Sequence, residues 1–265
     1  MTAPMTALRP TAKGGRKYSQ EEWQLRVELA AVYRIFALWG WDELIYNHKS
    51  VRVPGRPEHF LLNPWGLRFE EIKASDLLTV DLEGKLVDGS SSEYGPNKAG
   101  VILHGGILAA RSDVNCVIHN HSIAGAAVAS QQGGLLPLSV HSLMNWDLIA
   151  YHDFEGLVLD AGEQVRMNAA LGKDKKILIL RNHGMVTCGA TVAEAFMLSY
   201  WLERACQIQL AALSGSAKPL LLSKELQDLV PQQNKPGKGI DWDLGRRELD
   251  AVMRKLDGID PSYRE

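Results

Sequence analysis

Two histidines with metal-binding spacing, His119 and His121, stand at the end of an apolar run, directly before a segment of small residues that indicates a helix. Side chains two positions apart in a strand point to the same side, so both imidazoles can face one point. Neutral imidazole is the commonest metal ligand among protein side chains. The spacing therefore predicts half of a metal site; the alternative is one exposed histidine beside one that packs in the core.

A third histidine, His183, follows a second apolar run at 177–180 and precedes Gly184, which permits a tight backbone path beside a ligand. Further on, Thr191 and Glu194 form the capping-box pattern that begins many helices. We predict that two strands each deliver histidine at their carboxyl end, just ahead of a helix. Three imidazoles with open coordination positions suit a catalytic divalent metal better than a closed structural site. The alternative is three unrelated core histidines.

The composition of the 265-residue chain is that of an ordinary globular protein, with 46% apolar and 23% charged residues. A formal charge of −2 gives no indication of a nucleic-acid or anionic-membrane partner. No apolar run reaches membrane-spanning length, and the N-terminus lacks the apolar core of a signal peptide. Three cysteines within apolar elements suit reduced thiols, so we expect a cytoplasmic protein.

The elements that must position these histidines are predicted from periodicity and turn signals. Apolar residues at helical spacing predict a first helix over 21–39 and a long helix over 191–213. Two hairpins are predicted, one turning at 54–57 and one joining 77–80 to 85–87. Because no crossover helix separates these strands, this half of the sheet should be antiparallel.

A glycine-rich helix over 97–111 precedes the first histidine strand, and its glycines suggest close packing of a backbone or ligand against it. Composition also predicts the domain organisation. We expect a disordered N-terminal tail at 1–19, one domain at 20–214 and a C-terminal helical extension at 215–265. A flexible linker that begins at Pro231 should separate the two short helices of this extension.

Several segments resemble the class II aldolase/adducin family, and most closely its adducin-like branch. The resemblance runs from about Trp23 to Ser214, keeps the motifs in order, and rests on the segments GWDELIYNH, EHFLLNPWG, AGVILHGGILAARSDVNCVIHNH, GLLPLS, AYHDFEG and ILILRNHGMVTCG. It implies an α/β fold with a central, mainly antiparallel sheet in three α/β/α layers. It also implies a homotetramer with active sites at subunit interfaces. The metal ligands that it implies are His119, His121 and His183, with zinc as the first choice of metal and manganese or iron as alternatives.

The chain departs from the sugar-phosphate aldolases of this family at the position of their catalytic glutamate. Counting back from His104, which matches a family histidine, that glutamate falls on Gly100. Two serines that hold the substrate phosphate in those aldolases fall on Lys98 and Ala99. Glycine can neither abstract a proton nor hold an enediolate. The resemblance therefore implies that this acid–base group is missing.

Two more positions differ where those aldolases hold phosphate. The family's Gly-Asn pair corresponds to Asn47 and His48, and its Thr-Gly pair corresponds to Trp65 and Gly66. We therefore predict a site without a phosphate cradle. The residues predicted to bind substrate are His48, Trp65, Lys98, Gly100, His104 and Arg181.

Two histidines are candidates for the missing proton transfer. Aligned on Pro137, the tyrosine that donates a proton across the aldolase subunit interface falls on His141. His152, beside Asp153, is the second candidate. Histidine titrates near neutrality and can perform such a transfer. The alternative for both is a surface histidine in a loop.

These inferences lead to the hypothesis of a metal-dependent carbon–carbon lyase, of aldolase or decarboxylase type. Its substrate would be a small non-phosphorylated carbonyl acid, polarised by the metal as a Lewis acid. A second class is an Fe(II)-dependent oxygenase or oxidative decarboxylase acting on a 2-oxo acid. The third is a non-catalytic, adducin-like binding or scaffold protein, which the missing glutamate allows.

Overall fold

A computed structural model describes residues 18–87, 89–90, 92–156, 161–235, 237–238, 243 and 245–265. The strands within these residues are β1 (His48–Val53), β2 (Arg56–Leu62), β3 (Leu78–Asp81), β4 (Cys116–Asn120), β5 (Ile149–His152), β6 (Ile177–Leu180) and β7 (Gly184–Gly189). They form one sheet in the order β3-β2-β1-β4-β7-β6-β5. Strands β5 and β6 pair in parallel, and the other five pairs are antiparallel, which confirms the predicted, mainly antiparallel sheet.

Helices cover both faces of the sheet. The described α-helices are α1 (Gln20–Leu38), α2 (Lys98–Ala110), α3 (Ile123–Ala129), α4 (Val140–Met144), α5 (Ala161–Leu171), α6 (Val192–Leu213), α7 (Lys224–Gln233) and α8 (Arg246–Asp257). Helices α1, α6 and α8 share an apolar core with Val51 and Ile118 of the sheet, whereas α2 and α5 pack with Val117 and Leu178 on the opposite face. The predicted α/β/α layering is therefore confirmed, as are the two helices predicted from periodicity, α1 and α6, and the glycine-rich helix, α2. None of the described helices is long and apolar enough to cross a membrane.

The first predicted hairpin is confirmed, and the second is shorter than predicted. Strands β1 and β2 are joined at Gly55, whose φ of +69° is a conformation that glycine adopts without strain. In the second hairpin, β3 is met only by a single bridge between Val80 and Leu86. The Asp81 carboxylate accepts a hydrogen bond from the Lys85 amide at 2.8 Å. The Asp81 amide also donates to the Lys85 carbonyl, and the Val87 amide donates to the Thr79 carbonyl, both at 3.0 Å.

The segment around His183 corrects one expectation, because no helix follows this histidine directly. Strand β6 ends at Leu180, and the chain reverses through Asn182, which has a left-handed φ of +55°. Asparagine tolerates this conformation because its short polar side chain bonds locally. The chain then returns antiparallel to β6 as β7 before α6 begins. The predicted strand at 177–180 is therefore β6, the first arm of a hairpin with β7, and His183 lies in the turn between them.

The C-terminal region packs on the main core. Pro231 lies buried inside α7, so the prediction that a linker begins there is wrong. Helix α7 packs against α4. Leu249 and Tyr263 belong to the same apolar core as α1 and α6. The division at residue 214 stays a prediction, and nearly all of the tail predicted at 1–19 lies outside the described residues.

One buried lysine on the α1 side of the sheet has no hydrogen-bond partner among the described residues. Lys49 of β1 has no exposed surface, and its Nζ donates no hydrogen bond. The rings of Tyr33, Phe36 and Phe69 lie around it, with centroids 4.5, 4.2 and 3.7 Å from Nζ. Burial lowers the pKa of Lys49 well below its usual value, because the interior disfavours the charged form. The rings replace only part of the lost hydration.

We expect Lys49→Met to stabilise the protein by about 1–4 kcal/mol, since methionine keeps the side-chain length and removes the buried ammonium. Arg26→Met is the matched control. Arg26 is equally buried, but it donates to the Leu77 carbonyl at 2.6 Å and to Thr79 Oγ1 at 2.7 Å, so its loss should destabilise the protein. Urea unfolding of both variants measures the two changes. A Lys49→Met protein less stable than the parent would contradict the prediction.

Candidate metal centre

The three predicted ligands converge at one edge of the sheet. His119 lies near the end of β4 and His121 directly after it, and their Nε2 atoms are 2.8 Å apart. His183 reaches the same point from the β6–β7 turn, because β7 runs antiparallel to β4. One ring nitrogen from each histidine lies within 4.8 Å of the other two. The structure therefore brings together all three histidines that sequence analysis singled out as ligands.

Hydrogen bonds at the outer ring nitrogens determine where the imidazoles point. Nδ1–H of His119 donates to the Met185 carbonyl at 3.0 Å, and Nδ1–H of His121 donates to the Glu43 carboxylate at 2.6 Å. Because a neutral imidazole carries a single N–H, both Nε2 atoms then present lone pairs. Two lone pairs that face each other across 2.8 Å repel unless a cation lies between them. This donor set, with a carboxylate behind one ligand, fits a divalent metal.

Burial keeps two of these imidazoles in the form that binds metal. His119 is 2% exposed, and desolvation, followed by the effect of His121, lowers its pKa well below the usual value. Burial also lowers the pKa of His183 to about 4. Both groups are therefore neutral at physiological pH, and a metal ion displaces no proton from them.

A second pair of histidines lies against the three ligands on the same face of the sheet. His48 is the cross-strand neighbour of His119, and the two ring centroids are 5.0 Å apart. Nδ1 of His48 lies 2.7 Å from Nε2 of His104 in α2, and Nδ1 of His104 lies 2.6 Å from Ser50 Oγ. All three of these side chains are buried. His48 and His104, both predicted to bind substrate, therefore border the candidate metal centre.

The start of α2 lies next to this pair. Gly100 leaves room for His48, since a Cβ at position 100 would lie 3.0 Å from two carbons of the His48 ring. The amides of Ala99 and Gly100 donate to Asn97 Oδ1 at 2.9 and 3.3 Å. These amides are therefore already capped and are not free to bind a phosphate. Lys98 is exposed to solvent.

Trp65 is held close to the start of α2. Its amide donates to the Gly95 carbonyl at 2.8 Å, and the adjacent Pro64 and Pro96 form a β-bridge. The indole is 46% exposed. It therefore offers flat aromatic surface on the side of the site where α2 begins.

Arg181 does not extend into the site in this structure. Its guanidinium carbon lies 4.2 Å from the centroid of the Tyr151 ring, and it donates to the Gln131 carbonyl at 2.8 Å. Both contacts hold it on the face of the sheet opposite His48. Arg181 as a partner for a substrate carboxylate therefore stays a prediction that needs a rearrangement of this side chain.

The two candidates for proton transfer lie on other elements. His152, at the end of β5, is nearly buried, and its Nε2 is 3.7 Å from Glu155 and 3.9 Å from Glu163, rather than paired with the neighbouring Asp153. His141 lies in α4, which packs against α6 and α7. Burial, and then the charge of Arg204, lower the pKa of His141. No described hydrogen bond or ring contact joins either histidine to the three ligands.

Sequence analysis missed three contributors to this region, Glu43, Ser50 and Phe154. The Phe154 ring centroid lies 6.4 Å from that of His183, and the side chain is 55% exposed. A usable signal existed only for Glu43. Histidines that bind metal commonly donate their second N–H to a carboxylate, and Glu43 is an acidic residue close in sequence to the predicted site residue His48.

Comparison with known proteins agrees with the fold and the site. Residues 27–210 match the family described as Class II Aldolase and Adducin N-terminal domain. An aldolase II superfamily protein from Pseudomonas syringae is 43% identical, with a TM-score of 0.87 over 94% of this chain and 98% of that one. An L-fuculose 1-phosphate aldolase from Glaciozyma antarctica is 27% identical, with a TM-score of 0.81 over 97% of each chain. Alpha-adducin from Mus musculus is 40% identical over 268 residues, which are 98% of this chain and 36% of alpha-adducin.

Fold and site together define an α/β protein with a three-histidine centre that is suited to a divalent metal. The family match and the 43% identical structure show that the chain belongs to the class II aldolase and adducin family. Because its relatives include both an aldolase and an adducin, family membership alone does not select the reaction.

Proposed function

We propose that the protein is a metal-dependent carbon–carbon lyase, of aldolase or decarboxylase type, that acts on a small non-phosphorylated carbonyl acid. The observation that carries this proposal is the convergence of nitrogen atoms from His119, His121 and His183. Three protein ligands leave coordination positions open for a substrate, as catalytic metal sites require. The likeness to a fuculose 1-phosphate aldolase supports the lyase class.

Zinc is the metal that we propose first, because three imidazoles are a common ligand set for catalytic zinc. Manganese and iron are the alternatives. When bound, the metal supplies Lewis acidity toward a carbonyl oxygen of the substrate. The chain itself contributes pre-oriented ligands: the Met185 carbonyl holds His119, and the Glu43 carboxylate holds His121.

The start of α2 supports a substrate without phosphate. Asn97 already accepts hydrogen bonds from the two amides that begin the helix, and neither Ala99 nor Gly100 offers a side-chain donor. A carboxylate bound at the metal needs no such cradle. The exposed indole of Trp65 suits a flat or aromatic group on the same acid.

The direct test loads the protein anaerobically with zinc, manganese or ferrous iron and offers a panel of 2-oxo and 2-hydroxy acids. A lyase releases carbon dioxide or an aldehyde without consuming dioxygen, whereas an Fe(II)-dependent oxygenase consumes dioxygen in step with turnover. Loss of turnover in His183→Ala would tie the reaction to the metal centre. Absence of turnover with every metal and acid would overturn the proposal.

The likeness to alpha-adducin favours a second candidate, a non-catalytic binding protein. The identity of 40% extends over 98% of this chain, although the chain corresponds to only 36% of alpha-adducin. In that case the three histidines would hold a metal without turning over any acid. Stoichiometric metal together with no reaction in the screen is the result that selects this candidate.

We expect no cleavage of fuculose 1-phosphate or rhamnulose 1-phosphate above background by the metal-loaded protein. The physical reason is that Asn97 occupies the helix amides that a phosphate would need. An enzyme-coupled assay for the released ketose phosphate measures this, with a fuculose 1-phosphate aldolase as the positive control. Efficient cleavage of either sugar phosphate would show that the substrate class is wrong.

We also propose a homotetramer with sites at its interfaces, in the cytoplasm, with neither nucleic acid nor membrane as partner. Exposed apolar side chains near the three ligands support an interface there. Ile123, two positions after His121, is 88% exposed, and Leu44, beside Glu43, is 65% exposed. Apolar side chains exposed together commonly mark a contact surface.

A further inference from the structure

Ser50, His104 and His48 form a buried hydrogen-bond chain that ends beside the metal centre. Ser50 Oγ lies 2.6 Å from His104 Nδ1, and His104 Nε2 lies 2.7 Å from His48 Nδ1. Ser50 and His104 are 0% exposed and His48 is 4% exposed. The last nitrogen of the chain, Nε2 of His48, has no hydrogen-bond partner among the described residues, yet it is not sealed from solvent.

The number of N–H and O–H donors in this hydrogen-bond chain determines which way its hydrogens point. Nδ1 of His48 and Nε2 of His104 lie 2.7 Å apart, so one of them carries the hydrogen and the other accepts it, and each neutral imidazole has a single N–H to place. If the hydrogens point away from the metal centre, His104 donates to Ser50, and the Ser50 hydroxyl hydrogen has no acceptor among the described residues. If they point toward the centre, Ser50 donates to His104, His104 donates to His48, and every buried hydrogen is used. The second direction is favoured, because a buried donor without a partner is costly.

We propose that His48, which the sequence predicts to bind substrate, does so as a neutral hydrogen-bond donor, whose Nε2–H donates to a carbonyl or carboxylate oxygen of the substrate. His104 and Ser50 are the positioning residues that hold His48 in this tautomer. The identity of the substrate oxygen rests on the proposed lyase function. A neutral donor suits this place, because it stabilises an oxygen that gains negative charge without adding a second cation beside a divalent metal.

Gly100 makes this position of His48 possible. A Cβ at position 100 would lie 3.0 Å from Cδ2 and Cγ of His48, closer than carbon atoms normally pack. The ring would have to move by a few tenths of an ångström, and its Nε2–H would move with it. In the sequence, Gly100 stands where the family has a catalytic glutamate. In the structure, the absence of a side chain at Gly100 leaves room for the His48 ring.

Nitrogen-15 NMR of the imidazoles tests the direction of the chain, since it distinguishes N–H from bare ring nitrogen. In the zinc-loaded, full-length protein we expect the Nε2–H tautomer for both His48 and His104. Ser50→Ala removes the hydroxyl and should abolish this preference, whereas Ser50→Thr keeps a hydroxyl and should retain it. An Nδ1–H tautomer of His48 in the unmodified protein would overturn the proposal, whatever the enzyme's activity.

Calorimetry with oxalate, a planar dianion with adjacent oxygen acceptors, tests the contact. His48→Phe keeps a ring and removes the donor, and we expect oxalate to bind about tenfold more weakly, the effect of one lost charge-assisted hydrogen bond. Gly100→Ala should weaken binding in the same direction at unchanged zinc content. Gly95→Ala is the matched control, because a Cβ there meets no atom within 4 Å.

The outcomes separate this proposal from the proposed function. Unchanged oxalate affinity in both His48→Phe and Gly100→Ala would refute the contact. If the unmodified zinc-loaded protein binds neither oxalate nor any 2-oxo acid, the proposed substrate class is refuted, and the contact assigned to His48 is refuted with it. The NMR tautomers then still decide whether the chain points toward the metal centre.

Discussion

Replacing His119, His121 or His183 by alanine should in each case abolish stoichiometric metal binding. Each change removes one of three nitrogen atoms that lie within 4.8 Å of one another, and two imidazoles hold a divalent ion poorly. The loss of affinity should exceed about a hundredfold, because even residues that only orient a ligand typically contribute 10–100-fold. Elemental analysis of the dialysed proteins measures metal content, and circular dichroism checks that the fold is retained.

The Glu43→Gln variant tests the same site through a residue that orients a ligand, so its expected loss of metal affinity is smaller. Glutamine keeps the shape of the side chain but removes the charge that holds Nδ1–H of His121 at 2.6 Å. We expect metal affinity to fall by about 10–100-fold rather than to vanish. Glu58→Gln, at an exposed position in β2, is the matched control. Full metal content in any of the three alanine variants would remove that histidine from the ligand set, and unchanged affinity in Glu43→Gln would remove Glu43 from its orienting role.

The part of this site that sequence predicts depends on local geometry. His119 lies in β4 and His121 directly after it, two positions on, and the alternation of side chains along an extended chain puts them on one side. The placement of His183 was predicted for a partly mistaken reason. The apolar run 177–180 predicts the strand before His183, whereas the strand that follows it, β7, was not predicted. Only the pairing of β7 with β4, which no local pattern specifies, brings His183 to the other two.

The rest of the site depends on contacts between distant segments. Glu43 lies in a loop without periodicity, 78 positions before the histidine that it orients. The chain of Ser50, His104 and His48 requires both the β1–β4 register and the packing of α2 over it. In the sequence, Gly100 is recognisable only as the position where the family's catalytic glutamate is missing. That the same position leaves room for an imidazole is visible only once β1 and α2 are in place.

We expect His141→Ala to lower turnover by about 10²–10⁴-fold, the usual contribution of general acid–base catalysis, while leaving the metal content intact. Within one chain, His141 lies on α4, and no described contact joins it to the three ligands. Its Nδ1 is buried without a partner among the described residues. If the loop after Pro137 crosses a subunit boundary, as the family resemblance implies, His141 completes the site of a neighbouring subunit. Steady-state kinetics on the preferred acid, with elemental analysis of the same sample, measures both quantities.

Mixing two inactive proteins tests the shared site more sharply than either variant alone. His141→Ala keeps the metal ligands, and His183→Ala keeps the proton donor. In randomly exchanged oligomers, about a quarter of the interfaces should combine an intact metal centre from one subunit with an intact His141 from its neighbour, because each closed symmetric interface draws one contribution from each side. Activity should therefore recover to about a quarter of the parental value on mixing. No recovery after verified subunit exchange would mean that His141 serves the site of its own subunit, or none.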